Sequence, residues 1–115
     1  MIRSVGESIY PDEIEAVFED HHAVSQVCVV GIPDLVWGQI VVACVIGFTT
    51  DTLKTAEEID AYCKASALAR FKRPKAYCFV ENLPRNASDK VLRHFLRDIV
   101  IAAQAERSAN FQSVA

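Results

Sequence analysis

Two short stretches of the chain concentrate side chains able to do chemistry on anions. One is "FKRPK", residues 71 to 75. The other is "PRNASDK", residues 84 to 90. Arginine suits bidentate contact with phosphate, lysine is a mobile point charge, and a phenylalanine face can stack on a nucleobase. Lys90 is the oddest of these residues. Pro84, Asn86, Ser88 and Asp89 predict a loop running into a helix that starts at about Lys90. The first turn of a helix favours Asp or Glu and disfavours a cation. A lysine there is either indifferent and solvated or is held to meet an anion.

The charge pattern sharpens that choice. Residues 1 to 34 hold seven acidic side chains against Arg3 alone. Residues 70 to 97 hold eight basic side chains against Glu81 and Asp89. Such a basic cluster attracts phosphates; its plain alternative is a solvated face that balances the acidic segment. Nucleic acid is a poor candidate for the partner. The whole chain is acidic, with a net charge of -3, and carries no recognisable nucleic-acid module.

Other chemistries lack their residues. No GxxxxGK[ST] or GxGxxG phosphate loop, HExxH or GxSxG is present. Cys28, Cys44, Cys63 and Cys78 form no CxxC pair and sit in apolar or helical stretches, so they read as free, buried thiols rather than as a disulfide framework or zinc site. His21 and His22 offer two imidazoles, but neighbours at a helix end are expected to point apart. No metal site is expected. No apolar run approaches the roughly 20 residues that span a bilayer, and the N-terminus lacks signal architecture. A soluble, cytoplasmic protein is the expectation, with no membrane contact.

These residues need elements to position them. The 115 residues suit one small domain, and a 51% hydrophobic content is ample for a core. "SIYP" is expected to be extended. Pro11 then opens a helix with acids in its first turn and Ile14, Val17 and Phe18 facing inward. "VSQVCVVGIPD" predicts a strand, "DLVWGQ" a turn, and "IVVACVIGF" a central strand buried on both faces. "TTDT" predicts a loop, with Thr55 and Glu58 as a capping box for the next helix. "ALARFKRP" predicts a helical turn, "KAYCFVE" a third strand, and the last helix runs to about Ala105. The expected fold is α+β, a small mixed three-stranded sheet with helices packed on it. The domain covers residues 1 to 106, and residues 107 to 115 are expected to be a disordered tail.

"GESIYPDEIE", "VVGIPDLVWGQIVVACVI" and "ARFKRPKAYCFVENLPRNASDKVLR" together resemble the C-terminal domain of adenylate-forming enzymes. These are the acyl-CoA and aryl-CoA synthetases, firefly luciferase and peptide-synthetase adenylation domains. The resemblance runs from about Met1 to about Ile99, and its wording is closest to acyl- and aryl-CoA ligases, including the halobenzoate type. It implies a two-step reaction: a carboxylate attacks ATP to give acyl-AMP and pyrophosphate, the small domain rotates, and the CoA thiol then attacks the acyl-AMP. It implies that Lys90 is the adenylation lysine and that Gly6 lines the pantetheine tunnel. By resemblance to some CoA ligases, Trp37 and Phe71 would stack on the CoA nucleotide, while Arg73 and Lys75 would meet its phosphates; the alternative is that Trp37-Gly38 shapes a turn and packs on the sheet. Two departures stand out: Val5 precedes Gly6 where relatives often have a second glycine, and Asp89 precedes Lys90 where many have glycine.

The resemblance also implies what the chain lacks. A larger N-terminal domain would bind ATP with Mg, AMP and the acyl group, and neither it nor the hinge residue is expected within these residues. That domain is the expected partner, in cis or in trans, and the chain is not expected to be active alone. A stand-alone CoA- or protein-binding module that has lost catalysis is the alternative. A homo-oligomer is left open as a further partner.

Overall fold

The computed structural model describes residues 1–48 and 51–114. Thr49 and Thr50 of the expected "TTDT" loop lie outside those residues. The element order is β1 (Ile2–Ser4), β2 (Glu7–Ile9), α1 (Pro11–Glu19), β3 (Val24–Asp34), β4 (Gly38–Gly47), α2 (Thr52–Lys64), a 3-10 turn (Arg70–Lys72), β5 (Ala76–Phe79), α3 (Arg93–Ala105) and β6 (Phe111–Ser113).

The main sheet has the order β3-β4-β5-β6. β3 and β4 pair antiparallel, β4 and β5 pair parallel through the α2 crossover, and β5 and β6 pair antiparallel. The sheet is mixed and α+β as expected, but it has four strands, not three. The fourth comes from the segment expected to be a disordered tail: Ala76, Tyr77 and Cys78 of β5 pair with Ser113, Gln112 and Phe111. A separate hairpin, β1 with β2, makes a second small sheet.

Helices cover both faces of the sheet. Ile14 and Phe18 of α1, Ile59 and Cys63 of α2, and Val29, Val45 and Tyr77 of the strands fill one side. Leu96 and Val100 of α3 cover Cys28, Cys44 and Cys78 on the other. β4 therefore meets apolar layers on both sides, which explains its unbroken hydrophobic run. The Phe18 and Tyr77 rings meet edge to face at 5.8 Å, and the Tyr77 hydroxyl donates to buried Asp60 at 3.0 Å.

Two helix starts differ from expectation. Asp51 caps α2, its carboxylate accepting from Lys54 N, so the helix begins before the expected Thr55–Glu58 box. Thr55 instead donates its hydroxyl proton to the Asp51 carbonyl. The last helix starts at Arg93, not at about Lys90. The backbone before it is committed elsewhere, since Val91 bridges to Arg85 and Leu92 N donates to the Pro84 carbonyl at 2.8 Å. At its far end α3 closes with a Schellman motif: Ser108 N reaches Ala103 O, Arg107 N reaches Gln104 O, and Arg107 takes φ 53°.

Candidate functional site

Lys90 sits at the end of a miniature hairpin rather than in a helix. Asn86 N donates to the Lys90 carbonyl and Asp89 N donates to the Asn86 carbonyl, each at 3.0 Å. Asp89 has φ 63°, the left-handed residue that ends a three-residue hairpin loop. The Asn86 side-chain oxygen accepts from both Ser88 N and Lys90 N at 3.0 Å. Arg85 braces the loop from outside, donating to the Asp89 carbonyl and to Gln26 Oε1 at 2.8 Å each. Both backbone groups of Lys90 are thus fixed. Its side chain is exposed and makes no hydrogen bond or ion pair among the described residues. A free cation on a fixed stem can be offered to an anion with little reorganisation.

The sequence pattern sets Lys90 at the start of the last helix, whereas the structure puts it at the end of a hairpin loop three residues before that helix. The signal was present in Asn86, a residue type favoured at the first position of a turn and able to bond its own backbone two residues on.

Further back, α3 is tied to the sheet by Arg93. Its Nη1 lies 2.9 Å from Glu15 Oε2 and donates to the Val29 carbonyl at 2.6 Å, while Glu15 Oε2 accepts from Val29 N at 2.7 Å. Burial pushes the Arg93 pKa down, but the Glu15 carboxylate together with Cys28 and Asp12 outweighs it and the net shift is upward.

Trp37, Phe71, Arg73 and Lys75 come together around an open cleft of about 950 Å³. Trp37 arrives from the β3–β4 turn, whose Asp34 carboxylate accepts from Val36 N and Trp37 N. The other three come from the 3-10 turn and the extended arm leading into β5. Lys75 Nζ lies 3.9 Å from the centre of the Trp37 ring. That contact is a cation–π pair, so the ammonium and any stacking base compete for one indole face. Arg73 donates weakly to the Lys64 carbonyl at 3.4 Å, and its buried Nε has no partner among the described residues. The permanent guanidinium charge of Arg73 at the cleft suits an anionic ligand such as phosphate. Asp60 also lines the cleft but is already engaged by Tyr77 and by Lys64 at 3.2 Å.

Gly6 is elsewhere. It lies at the tip of the β1–β2 hairpin with φ 80°, beside Val5 at φ 50°. Two successive positive φ values are those of a type I′ turn. The hairpin touches the Trp37 turn through Val5 N and the Trp37 carbonyl, 2.8 Å apart.

The model of the AMP-binding enzyme C-terminal domain family matches residues 13–90. The chain belongs to that family. It is 46% identical over 105 residues to a 4-chlorobenzoate–CoA ligase of Pseudomonas sp. (strain CBS-3), covering 91% of this chain and 20% of the ligase. Against a 2-succinylbenzoate–CoA ligase of Bacillus cereus it is 49% identical over 100 residues, covering 87% of this chain and 20% of that one. A Mycobacterium tuberculosis fatty acyl CoA synthetase superposes with a TM-score of 0.80 at 41% identity, over 90% of this chain and 20% of that one. The chain therefore spans about a fifth of the length of the curated relatives it matches.

Two other clusters in this AMP-binding C-terminal domain are less suited to chemistry. His21 and His22 do not point apart as expected; their rings stack at 4.5 Å, with Glu58 3.0 Å from His22. His21 Nδ1 already accepts from Ala23 N at 3.1 Å. One donor atom from each of His21, His22 and Glu58 lies within 4.8 Å of the others, close enough to hold a metal ion, though exposed acidic groups are common without one. The cysteines are free and buried. Burial pushes Cys28 up to about 11 against the opposing Arg93 guanidinium, and pushes Cys78 up to about 11 as well. Cys44 and Cys63 are raised by the same cause. Thiols held protonated are poor nucleophiles and poor metal ligands.

Proposed function

We propose that the chain is the mobile C-terminal domain of an ATP-dependent acyl- or aryl-CoA ligase, with Lys90 as its adenylation lysine. The observation that carries this reading is the exposed Lys90 ammonium, unpaired among the described residues, on a loop whose backbone is fixed on both sides. In the first step a substrate carboxylate oxygen attacks the α-phosphorus of ATP, and pyrophosphate leaves with the electron pair of the broken P–O bond. Two anions must meet for this. A cation about 4 Å from each contributes about 4 kcal/mol per contact at an effective dielectric of 20. Lys90 supplies that charge between carboxylate and phosphate oxygens. ATP and its Mg would be held by a large adenylation domain, in cis or in trans.

In the second step the CoA thiol attacks the acyl-AMP carbonyl and AMP departs. The Trp37–Arg73–Lys75 cleft would hold the nucleotide end of CoA, with Phe71 as a second stacking face. The Gly6 hairpin would flank the pantetheine arm. Anion binding draws Lys75 off the indole face and frees it for the base. Among the described residues no helix is long and apolar enough to cross a membrane, and a cytoplasmic location suits a user of ATP and CoA.

The test is restoration in trans. Mixed with the large domain of a relative, the chain is expected to restore acyl-AMP formation, measured as pyrophosphate release, and Lys90→Ala is expected to abolish it. Undiminished restoration by Lys90→Ala removes the role assigned to the lysine. A second reading, a stand-alone CoA-binding module, is favoured by one feature: the aromatic and cationic parts of the cleft all come from this chain. Full CoA binding with no rescue of any large domain would favour it.

A further inference from the structure

The segment expected to fray is tied down from Arg107 to Val114. After the Schellman close of α3, the Ala109 carbonyl accepts from Thr52 Oγ1 at 2.9 Å and the Asn110 carbonyl from Phe79 N at 2.8 Å. β6 then pairs with β5, and Val114 N donates to the Lys75 carbonyl at 2.9 Å. Lys75 N in turn donates to the Val41 carbonyl of β4 at 2.9 Å. The Lys75 backbone is therefore clamped between β4 on one side and the C-terminal segment on the other. The Val114 side chain is half-buried, packs on the core, and lines the same cleft as Trp37, Phe71, Arg73 and Lys75. The segment lies beyond residues 13–90, where the family model matches.

We propose that the C-terminal strand is a working part of this cleft: β6 fixes the arm that carries Arg73 and Lys75, and Val114 forms an apolar wall against the bound nucleotide. The inference rests on the cleft reading of the preceding section and adds a residue that sets its affinity. The physical reason is preorganisation. An arm held by its strand neighbours on both sides loses less freedom on meeting a phosphate than one held on one side. An apolar wall beside the indole also shields the base from water while adding no charge that competes for the phosphates.

The experiment measures the binding of CoA, and of adenosine 3′,5′-bisphosphate as its nucleotide half, to the purified chain by calorimetry. Three proteins are compared: the intact chain, a chain lacking residues 110–115, and Val114→Glu. Truncation is expected to raise Kd about tenfold or more by loosening the arm. Val114→Glu keeps the strand but sets a carboxylate against the phosphates, and a similar loss is expected. Far-UV circular dichroism shows whether truncation unfolds the chain; if it does, Val114→Glu decides. Affinity in Val114→Glu equal to that of the intact chain overturns the proposal and leaves the cleft reading standing. No binding by the intact chain overturns both.

Discussion

Val5 and Asp89 show how differently two residues bear the same backbone demand. Both stand at positive φ, 50° and 63°. Asp tolerates that region because its short side chain bonds locally, whereas a β-branched residue there is strained by about 1–2 kcal/mol. Glycine would relieve the strain but would lose more entropy on folding. Val5→Gly is thus expected to raise unfolding free energy by up to about 1 kcal/mol, read as a higher urea midpoint at unchanged slope. Asp89→Gly is expected to shift it by only a few tenths, because the residue is exposed and its pairing with Arg85 at 3.7 Å is weak. For the proposed chemistry, Asn86 matters more than either. Asn86→Ala removes both side-chain bonds that hold Ser88 N and Lys90 N. It is expected to lower acyl-AMP formation in the trans mixture about tenfold with Lys90 intact, and Asn86→Asp, which keeps the acceptor, to recover most of it. The chemical type of Lys90 was legible in the sequence. Its setting was not, because helical spacing of the apolar residues in "VLRHFLRDIV" says nothing about where backbone bonds to Pro84 and Asn86 stop the helix.

Between elements, the Arg93–Glu15 pair solves the problem of an edge. β3 ends the sheet, so its outward N–H and C=O groups would be open to pairing with another chain. At Val29 the Glu15 carboxylate takes the N–H and the Arg93 guanidinium takes the C=O, which also binds α1 and α3 to the same strand. Arg93→Ala leaves the half-buried Glu15 carboxylate with the Val29 N–H but without its cation. A cost of about 2 kcal/mol is expected in denaturant unfolding, below the value for a fully buried pair because Arg93 is partly exposed. The cysteines behind this clasp add a pH signature. Cys28 and Cys78 are raised from near 9 to about 11, so the folded chain holds their protons longer than the unfolded chain does. Their contribution is complete below pH 9 and is lost as pH rises toward 11, by up to about 1.4 kcal/mol per pH unit for each thiol. A Cys28→Ala, Cys78→Ala chain is expected to show a shallower decline of the urea midpoint over that window. The long strands and the helices were legible because 11-residue β3 and 10-residue β4 carry their own apolar pattern. Three-residue β1, β2 and β6 carry no such pattern. They exist through pairing, the Val5–Gly6 turn and the bonds to β5, none of which composition reveals.

The proposed working parts of the whole molecule sit at opposite ends of one strand. Arg85 anchors the Lys90 loop at Gln26, near the start of β3, while the Trp37 cleft and the Gly6 hairpin gather beyond Asp34, where β3 ends. Eight strand steps at about 3.3 Å each place these ends about 26 Å apart. No small rotation of a side chain spans that distance, and the β3–β4 pairing between them is continuous from Gln26 to Asp34. If both ends serve one reaction centre on a large domain, they must serve it in turn, with the whole chain reoriented as a rigid body. This gives a double dissociation that a merely structural role would not produce. In the trans mixture, Lys90→Ala is expected to abolish acyl-AMP formation yet leave thioester formation from supplied acyl-adenylate and CoA within about threefold of the unaltered chain. Arg73→Ala and Trp37→Ala are expected to do the reverse, raising KM for CoA about tenfold or more while pyrophosphate release holds. The two half-reactions are followed separately, by pyrophosphate release and by loss of free thiol. Equal impairment of both by either set would mean that the two ends act together, and the sequential use of the two faces would fall.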